Sequence, residues 1–326
     1  MKIKDYSFQS CFGPYIEKFI QEKRDAGFVY ESEEWKLKHF DAYCVEASIT
    51  DPVLTRDVVY AWGALRDDEA LVTCSGRVSI LRQFALYLTT LGIDAYIPAG
   101  FFKAEKTVIH VLSDDEIIAL FEKIDGYVPA TTGKVFHRLA AEYKVIFRMI
   151  YCCGLRISEA RRLRWDDVDL KDGSICVMQS KGRKDRIVYL ADDLVELMKS
   201  YESVLRSKYS CDSEWVFPAR DAANCLSTVT IDKMFRTCWR STQYYGNCDR
   251  SPTVHSLRHT FVVKRMNMWM EEDVPLNEML PYLSQYLGHT SPDNTFYYYH
   301  QVDSAFRIIR KKDATGLKVI PEVSYE

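Results

Sequence analysis

The sequence has no apolar run approaching the roughly 20 residues that a helix needs to cross a bilayer, and no positively charged segment leads into an apolar stretch at its N-terminus. It also lacks Cys-x-x-Cys pairs and histidines at zinc-ligand spacing, although it contains 10 cysteines. These absences predict a cytoplasmic chain that is not bound to a membrane. They also predict cysteines that are reduced and mostly structural.

An excess of positive charge is missing too. The formal net charge of the 326 residues is -3, so a nucleic-acid partner would have to bind a local basic stripe. Clustered carboxylates of the kind that hold catalytic metal ions are not found, and neither are repeats or low-complexity tracts. With 47% hydrophobic and 27% charged residues, the composition is that of an ordinary globular protein of about two domains.

The pattern of apolar residues divides the chain into two parts. Residues 1–100 repeat their apolar positions at helical spacing and predict four helices, residues 101–110 read as a short basic linker, and residues 111–326 form a second domain. In that domain Ser113 and Glu116 predict a helix-capping box, and Gly154 ends a long helix. After Trp165 the period changes to two over three short segments with turns between them. The predicted fold is mainly α with a small antiparallel β-sheet.

Six residues of the second domain form a set suited to gripping a phosphodiester and breaking it without a metal ion. They supply two guanidinium groups, one ammonium, two imidazoles and one phenol, and they are Arg156, Lys181, His255, Arg258, His289 and Tyr298. His255 and Arg258 share a helical face, so both can meet one phosphate.

Each of these residues has a plainer interpretation when taken alone. A single arginine usually holds a carboxylate or is solvated, and the basic run around Lys181 is typical of an exposed turn. His259 fits a buried core histidine. The run from Tyr297 to Tyr299 leaves the nucleophile ambiguous on chemical grounds, because aromatic runs are more often packed than catalytic.

Taken together, the order and the residue patterns of these segments resemble those of the tyrosine recombinase family, the phage-type integrases. The resemblance covers residues 112–300 and extends more loosely to the helical domain, where residues 81–84 look like the family's core-binding domain. Its matching segments are residues 154–159, 181–186, 255–261, 287–289 and 295–300. The family's Thr-x-x-Tyr-x-His ending places the nucleophile on Tyr298, with Thr295 and His300 as its markers.

The resemblance implies attack by Tyr298 on DNA to give a 3′-phosphotyrosyl intermediate, with no ATP, metal or other cofactor. His255 is then the expected base, Arg156 and Arg258 hold the non-bridging oxygens, His289 donates a further hydrogen bond, and Lys181 protonates the leaving 5′ oxygen. Glu159 and His259 are expected to support this set.

The expected partner is duplex DNA, clamped between a core-binding domain and a catalytic domain. The expected phosphate contacts are Arg77, Arg82, Lys103, Lys106 and Lys184. Family precedent suggests a homo-tetramer on paired sites, with the basic helix at residues 305–312 docking on a neighbour or packing on its own domain. Sister recombinases are a further possible partner.

Two departures from the family pattern bear on the biological role. Tyr189 stands where proline is common, and 31 positions separate Arg258 from His289, several more than in compact bacterial resolvases. The insertion is similar to that of transposon-borne integrases and favours integration or excision of a mobile element. Two alternatives stay open, namely DNA relaxation of the type IB topoisomerase kind and a DNA-binding accessory factor with the same fold.

Overall fold

The computed structural model describes residues 7–99, 110–178, 185–248, 250–289, 291 and 293–299. The chain divides into two compact units, Met1–Thr107 and Val108–Glu326. The predicted linker falls almost wholly on residues outside the described ranges. No helix in the described part of the chain is long and apolar enough to cross a membrane.

The first unit contains the four expected helices, α1 (Gly13–Asp25), α2 (Glu31–Glu46), α3 (Arg56–Gly63) and α4 (Leu71–Thr90). The hydroxyl of Thr55 accepts a hydrogen bond from the amide of Val58 and caps the start of α3. The core of the unit is aromatic, and Phe12, Phe40 and Phe84 are fully buried against one another. Burial of large rings at the helix contacts therefore stabilises the bundle, with roughly 1.5–3 kcal/mol from each ring.

The second unit is helical around a small sheet, and the fold predicted from the sequence is confirmed. Its helices are α5 (Asp114–Asp125), α6 (Lys134–Cys153), α7 (Ile157–Arg161), α8 (Asp192–Ser207), α9 (Thr228–Arg240), α10 (Val254–Glu271), α11 (Leu276–Leu287) and α12 (Asp293–Tyr299). The capping box of Ser113 and Glu116 is present at the start of α5. Most of these helices pack into one apolar core, and a smaller cluster joins α10 to α11.

The three expected strands are β1 (Val168–Asp169), β2 (Ser174–Val177) and β3 (Arg186–Tyr189), paired antiparallel in the order β1-β2-β3. Ile175 pairs with Val188 across β2 and β3, and both side chains are fully buried, whereas Ile187 is 71% exposed. The alternation fixes the register, because a shift by one residue would exchange these two faces. The β2–β3 connection, residues 179–184, lies outside the described residues.

The helices α6 and α11 both end at a glycine in the left-handed conformation. Gly154 ends α6 with φ of +62°, and Gly288 ends α11 with φ of +64°. A Cβ on Gly154 would lie 2.5 Å from the ring of Phe261, so only glycine fits there.

The start of the second unit is fastened to α10. The amide of Leu112 donates to the hydroxyl of Thr260, 3.0 Å away, and this buried hydroxyl in turn donates to the carbonyl of Ser256. The segment that leads into α5 is thereby bonded to the helix that carries His255 and Arg258.

Candidate active site

A carboxylate organises one side of the site. Glu159, in the first turn of α7, accepts hydrogen bonds from the backbone amide of Arg156 at 2.9 Å and from its guanidinium at 2.6 Å. Its two oxygens also accept from the guanidinium of Arg186 at 3.0 and 2.8 Å. One buried acid therefore orients two arginines, as expected of Glu159 for the first of them.

The charge state of Glu159 follows from these partners. Burial pushes the pKa of the carboxyl up, but the hydrogen bonds and charges of Arg186, together with the hydrogen bonds from Arg156, outweigh burial and lower it from 4.5 to about 2. Glu159 is thus an anion at neutral pH, and its charge offsets part of the positive charge of the site.

Arg258 is fully buried beneath the site. One end nitrogen donates to the carbonyl of Gly154 at 2.5 Å, and the other donates to the carbonyl of Leu287 at 2.8 Å and to Nε2 of His289 at 3.0 Å. Arg156 makes a matching bond, because its guanidinium donates to the carbonyl of Gly288 at 2.9 Å. The ends of α6 and α11 therefore hold both arginines.

The hydrogen bonds of His289 determine its tautomer. A guanidinium can only donate, so Nε2 accepts from Arg258 and the ring proton lies on Nδ1, which is 2.7 Å from the hydroxyl of Thr295. That hydroxyl donates onward to Ser284 at 3.2 Å. Burial, and then repulsion from Arg258 and Arg156, lowers the pKa of His289 to about 3, so the ring is neutral at pH 7.

His255 lies at the start of α10, and its ring meets that of His259 with centroids 4.2 Å apart. Its side chain is exposed at one edge, while the protein packed around the rest of the ring, together with Arg258 and Arg156, lowers its pKa to about 4. His259 is buried beneath it, and burial, followed by repulsion of a charged ring by His255 and Arg258, lowers its pKa to about 3. Both imidazoles are therefore neutral at pH 7, and His255 is the one that solvent can reach.

The structure brings together Arg156, His255, Arg258 and His289, four of the six residues singled out in the sequence. Tyr298 lies on α12, the same helix as Thr295, whose hydroxyl is bonded to His289. The Tyr298 side chain, together with Lys181, Lys184, Lys103, Lys106, His300 and residues 305–312, lies outside what the structure describes.

One expected DNA contact needs correction. Arg77 is buried within the first unit, where its guanidinium donates to Glu69 at 2.6 and 3.0 Å and to the carbonyl of Ala64 at 3.0 Å. All three guanidinium nitrogens of Arg77 are bonded to protein groups and Glu69 balances its charge, so Arg77 belongs to the core of the first unit. Arg82 is exposed and donates to the carbonyl of Pro98.

Sequence reasoning gave no role to Arg186, Ser284 or Gly288, although all three belong to the site. Arg186 lay at the end of a basic run, and the detectable signal was its place as the first residue of a strand. Arg236 and Arg240, which line a cleft of about 540 Å³ beside His255, were likewise given no role.

The comparisons with known proteins agree with this geometry. Residues 110–305 match the model of the phage integrase family. This chain belongs to that family. It is a site-specific tyrosine recombinase, an enzyme that transfers DNA strands.

Several relatives show the extent of the likeness. The recombinase is 26% identical to the integrase/recombinase y4rE of Sinorhizobium fredii over 90% of this chain and 92% of that one. It is 25% identical to the tyrosine recombinase XerC of Thermodesulfovibrio yellowstonii over 88% and 91% of the two chains. Among solved structures, the integrase of transposon Tn1549 with a circular intermediate DNA aligns with a TM-score of 0.63, at 14% identity over 92% and 99% of the chains. That last likeness is one of fold.

Proposed function

We propose that this recombinase cuts and rejoins duplex DNA through a 3′-phosphotyrosyl bond to Tyr298, and that it does so in the cytoplasm to integrate or excise a mobile element. The observation that carries the proposal is the joint anchoring of Arg156 and Arg258 by the helix-ending carbonyls of Gly288 and Gly154. Two fixed guanidinium groups beside neutral imidazoles suit a phosphate that gains negative charge in the transition state.

Each residue then has a distinct role. Arg156 and Arg258 hold the non-bridging oxygens, and neutral His255 accepts the proton of the Tyr298 hydroxyl, whose ordinary pKa near ~10 otherwise disfavours attack at pH 7. Lys181 protonates the departing 5′ oxygen. The bond from Tyr298 to phosphorus replaces the bond to that oxygen, and attack by a 5′ hydroxyl of the partner strand reverses the exchange.

His289 needs a change of hydrogen bonding to play its expected part. Its Nε2 accepts from Arg258, so it can donate to a phosphate only after the ring proton moves to Nε2 or a second proton is bound. A phosphate that takes over the Arg258 nitrogen would release Nε2 for this purpose. We propose that phosphate binding itself exchanges these partners.

The DNA contacts are proposed on charge and position. Arg236 and Arg240 on α9 share the cleft that His255 lines, so a strand that reaches the site passes these cations. Arg82, Lys103, Lys106 and Lys184 remain proposed phosphate contacts. A homo-tetramer on two paired sites, with or without sister recombinases, is the proposed working assembly.

Covalent trapping tests the reaction. The protein is incubated with nicked suicide DNA that carries the ends of its own element, without added metal, and complexes that resist denaturation are counted. Wild type, Tyr297→Phe and Tyr299→Phe should form the complex, and Tyr298→Phe should not. DNA binding without any covalent complex would refute the mechanism and favour the accessory factor.

The biological role needs a second measurement. Expression of the recombinase beside a reporter flanked by the element's ends should yield a joined-end circle. If the protein forms covalent complexes and relaxes supercoils but never joins two DNA partners, the recombination role is refuted. That result would point to a topoisomerase.

A further inference from the structure

We propose that His110, Glu116 and Cys248 form a zinc site that fastens the first residues of the second unit to the connection between α9 and α10. One ligand atom from each residue lies within 4.8 Å of the other two. None of the three belongs to the proposed active site. The inference is therefore independent of the recombination mechanism.

The three donors come from different parts of the fold. His110 precedes α5, Glu116 lies in the first turn of α5, and Cys248 lies 138 positions after His110, beyond the end of α9. Residues so far apart in sequence are brought together only by folding. Imidazole, carboxylate and thiolate are all ligands that zinc accepts, and three protein ligands leave a fourth position for water.

Glu116 has an oxygen available for a metal without loss of its helix cap. Its Oε2 accepts from the amide of Ser113 at 2.8 Å, while Oε1 is hydrogen-bonded to Nε2 of His110 at 2.9 Å, a bond that a metal held by both atoms would replace. The cap therefore fixes the carboxylate with Oε1 directed toward the imidazole. A second oxygen held by a hydrogen bond is the usual support for a metal-binding carboxylate.

The distances require only small movements. Two ligand atoms on tetrahedral zinc are roughly 3.3–3.7 Å apart, because the metal lies about 2.0–2.3 Å from each. The imidazole and the carboxylate must therefore separate by a few tenths of an ångström, and the most distant pair must close by about 1 Å. Side-chain rotation of the partly exposed Cys248 and His110 can supply both changes.

The charges also balance. A thiolate and a carboxylate neutralise the two charges of Zn²⁺, and the imidazole binds as a neutral group, so the partly buried site carries no net charge. Binding requires the Cys248 thiol to lose its proton to solvent and the His110 ring to carry its proton on Nδ1.

The position suggests a structural purpose. The ring of His110 lies 6.5 Å from that of buried Trp239 on α9, and the chain after Cys248 leads to Thr253, the N-cap of α10. Zinc at this point would hold the segment that enters α10 just ahead of His255. The metal would stabilise the unit and take no part in strand transfer.

Zinc binding can be measured without reference to activity. The full chain is stripped with a chelator, dialysed against Zn²⁺ and analysed for bound metal. We expect one tightly bound zinc per chain, with affinity at least tenfold weaker in Cys248→Ser and in His110→Gln. Cys211→Ser and His137→Gln, which change the same residue types elsewhere in the unit, should bind zinc like wild type.

A spectroscopic probe separates this site from the other nine thiols. Co²⁺ in place of zinc should give a thiolate charge-transfer absorption that Cys248→Ser removes and Cys211→Ser retains. Equal zinc affinity in wild type and Cys248→Ser would overturn the proposal, and so would a Co²⁺ band that survives in that variant. A failure of covalent trapping by Tyr298 would leave the zinc count unchanged, so the two proposals fail separately.

Discussion

The carbonyl of Gly154 accepts a hydrogen bond of 2.5 Å from Arg258, so the residue that ends α6 also holds the buried guanidinium of the site. Gly288 repeats the arrangement at the end of α11, where its carbonyl accepts from Arg156. Carbonyls at helix C-termini lack partners within the helix and carry partial negative charge. The site thus uses two helix ends to place two cations.

Gly154→Ala should destabilise the second unit by roughly 2–5 kcal/mol. The added Cβ meets the ring of Phe261 at 2.5 Å and also suffers the left-handed conformation, which costs roughly 1–2 kcal/mol by itself. Urea unfolding monitored by circular dichroism measures the change, and covalent trapping should show a loss of DNA cleavage.

Gly246→Ala is the matched control. Gly246 has φ of +88° in the same unit, but nothing lies within 4 Å of its added Cβ. Only the conformational cost applies, so this variant should lose no more than about 2 kcal/mol and should still cleave DNA. Equal losses in the two variants would show that the contact with Phe261 is not decisive.

Glu159→Gln should lower the free energy of unfolding at neutral pH by about 3 kcal/mol, because it removes the anion between Arg156 and Arg186. Since the folded pKa lies below the unfolded value of 4.5, the wild-type carboxylate stabilises the fold above pH 4.5 and loses that effect as the pH falls toward 2. The difference in free energy of unfolding between Glu159→Gln and wild type should therefore be smaller at low pH.

Unfolding titrations at pH 7 and pH 3.5 test this, with Glu214→Gln as control. Glu214 pairs with Arg164 on the surface, where both side chains are at least half exposed, and its loss should cost less than about 1 kcal/mol. A Glu159→Gln deficit that stays constant with pH would argue against the linkage.

The buried histidines should make the protein sensitive to mild acid. The folded pKa values of His259 and His289 are about 3, below the ordinary 6.5, so between these values the unfolded state binds protons that the folded state refuses. Stability should fall as the pH drops from about 6.5. His259→Gln should reduce that slope by up to about 1.4 kcal/mol per pH unit. Urea titrations from pH 7 to 4.5 measure the slope, and a slope in His259→Gln equal to that of wild type would contradict this account.

Thr295→Val should weaken cleavage more than it weakens folding. The variant keeps the buried volume, but it leaves Nδ1–H of His289 and the hydroxyl of Ser284 without their partner, at a cost of about 1–3 kcal/mol. Thr295→Ser retains the hydroxyl and should recover most of the covalent complex. If Thr295→Val cleaves suicide DNA at the wild-type rate, the link from His289 to α12 has no catalytic importance.

Arg77→Gln should destabilise the first unit without changing the salt dependence of DNA binding. The substitution leaves Glu69 without its buried cation, which costs roughly 3–5 kcal/mol, and it removes no phosphate contact. Thermal unfolding and binding at two salt concentrations measure the two effects. A weaker dependence of DNA affinity on salt in Arg77→Gln would show that Arg77 contacts DNA after all. Arg82→Gln, at an exposed arginine, is measured for comparison.

Much of the fold and four members of the site could be predicted because their signals are local. A few adjacent residues determine the helical spacing, the Ser113 capping box and the glycines that end helices. The recombinase motifs are likewise short patterns of adjacent residues. The role of Arg186 could not be predicted, because it depends on Glu159, which only folding places beside it. The burial of Arg77 could not be predicted either, because its partners, the carbonyl of Trp62 and the carboxylate of Glu69, are brought to it by folding. The sequence alone does not distinguish a basic residue that contacts DNA from one that pairs with a buried acid.

The bond between Leu112 and Thr260 has a mechanical consequence. Thr260 follows Arg258 by two positions on α10, so a displacement of the backbone at Leu112 acts on the helix that carries Arg258 directly through this hydrogen bond, and not only through α5.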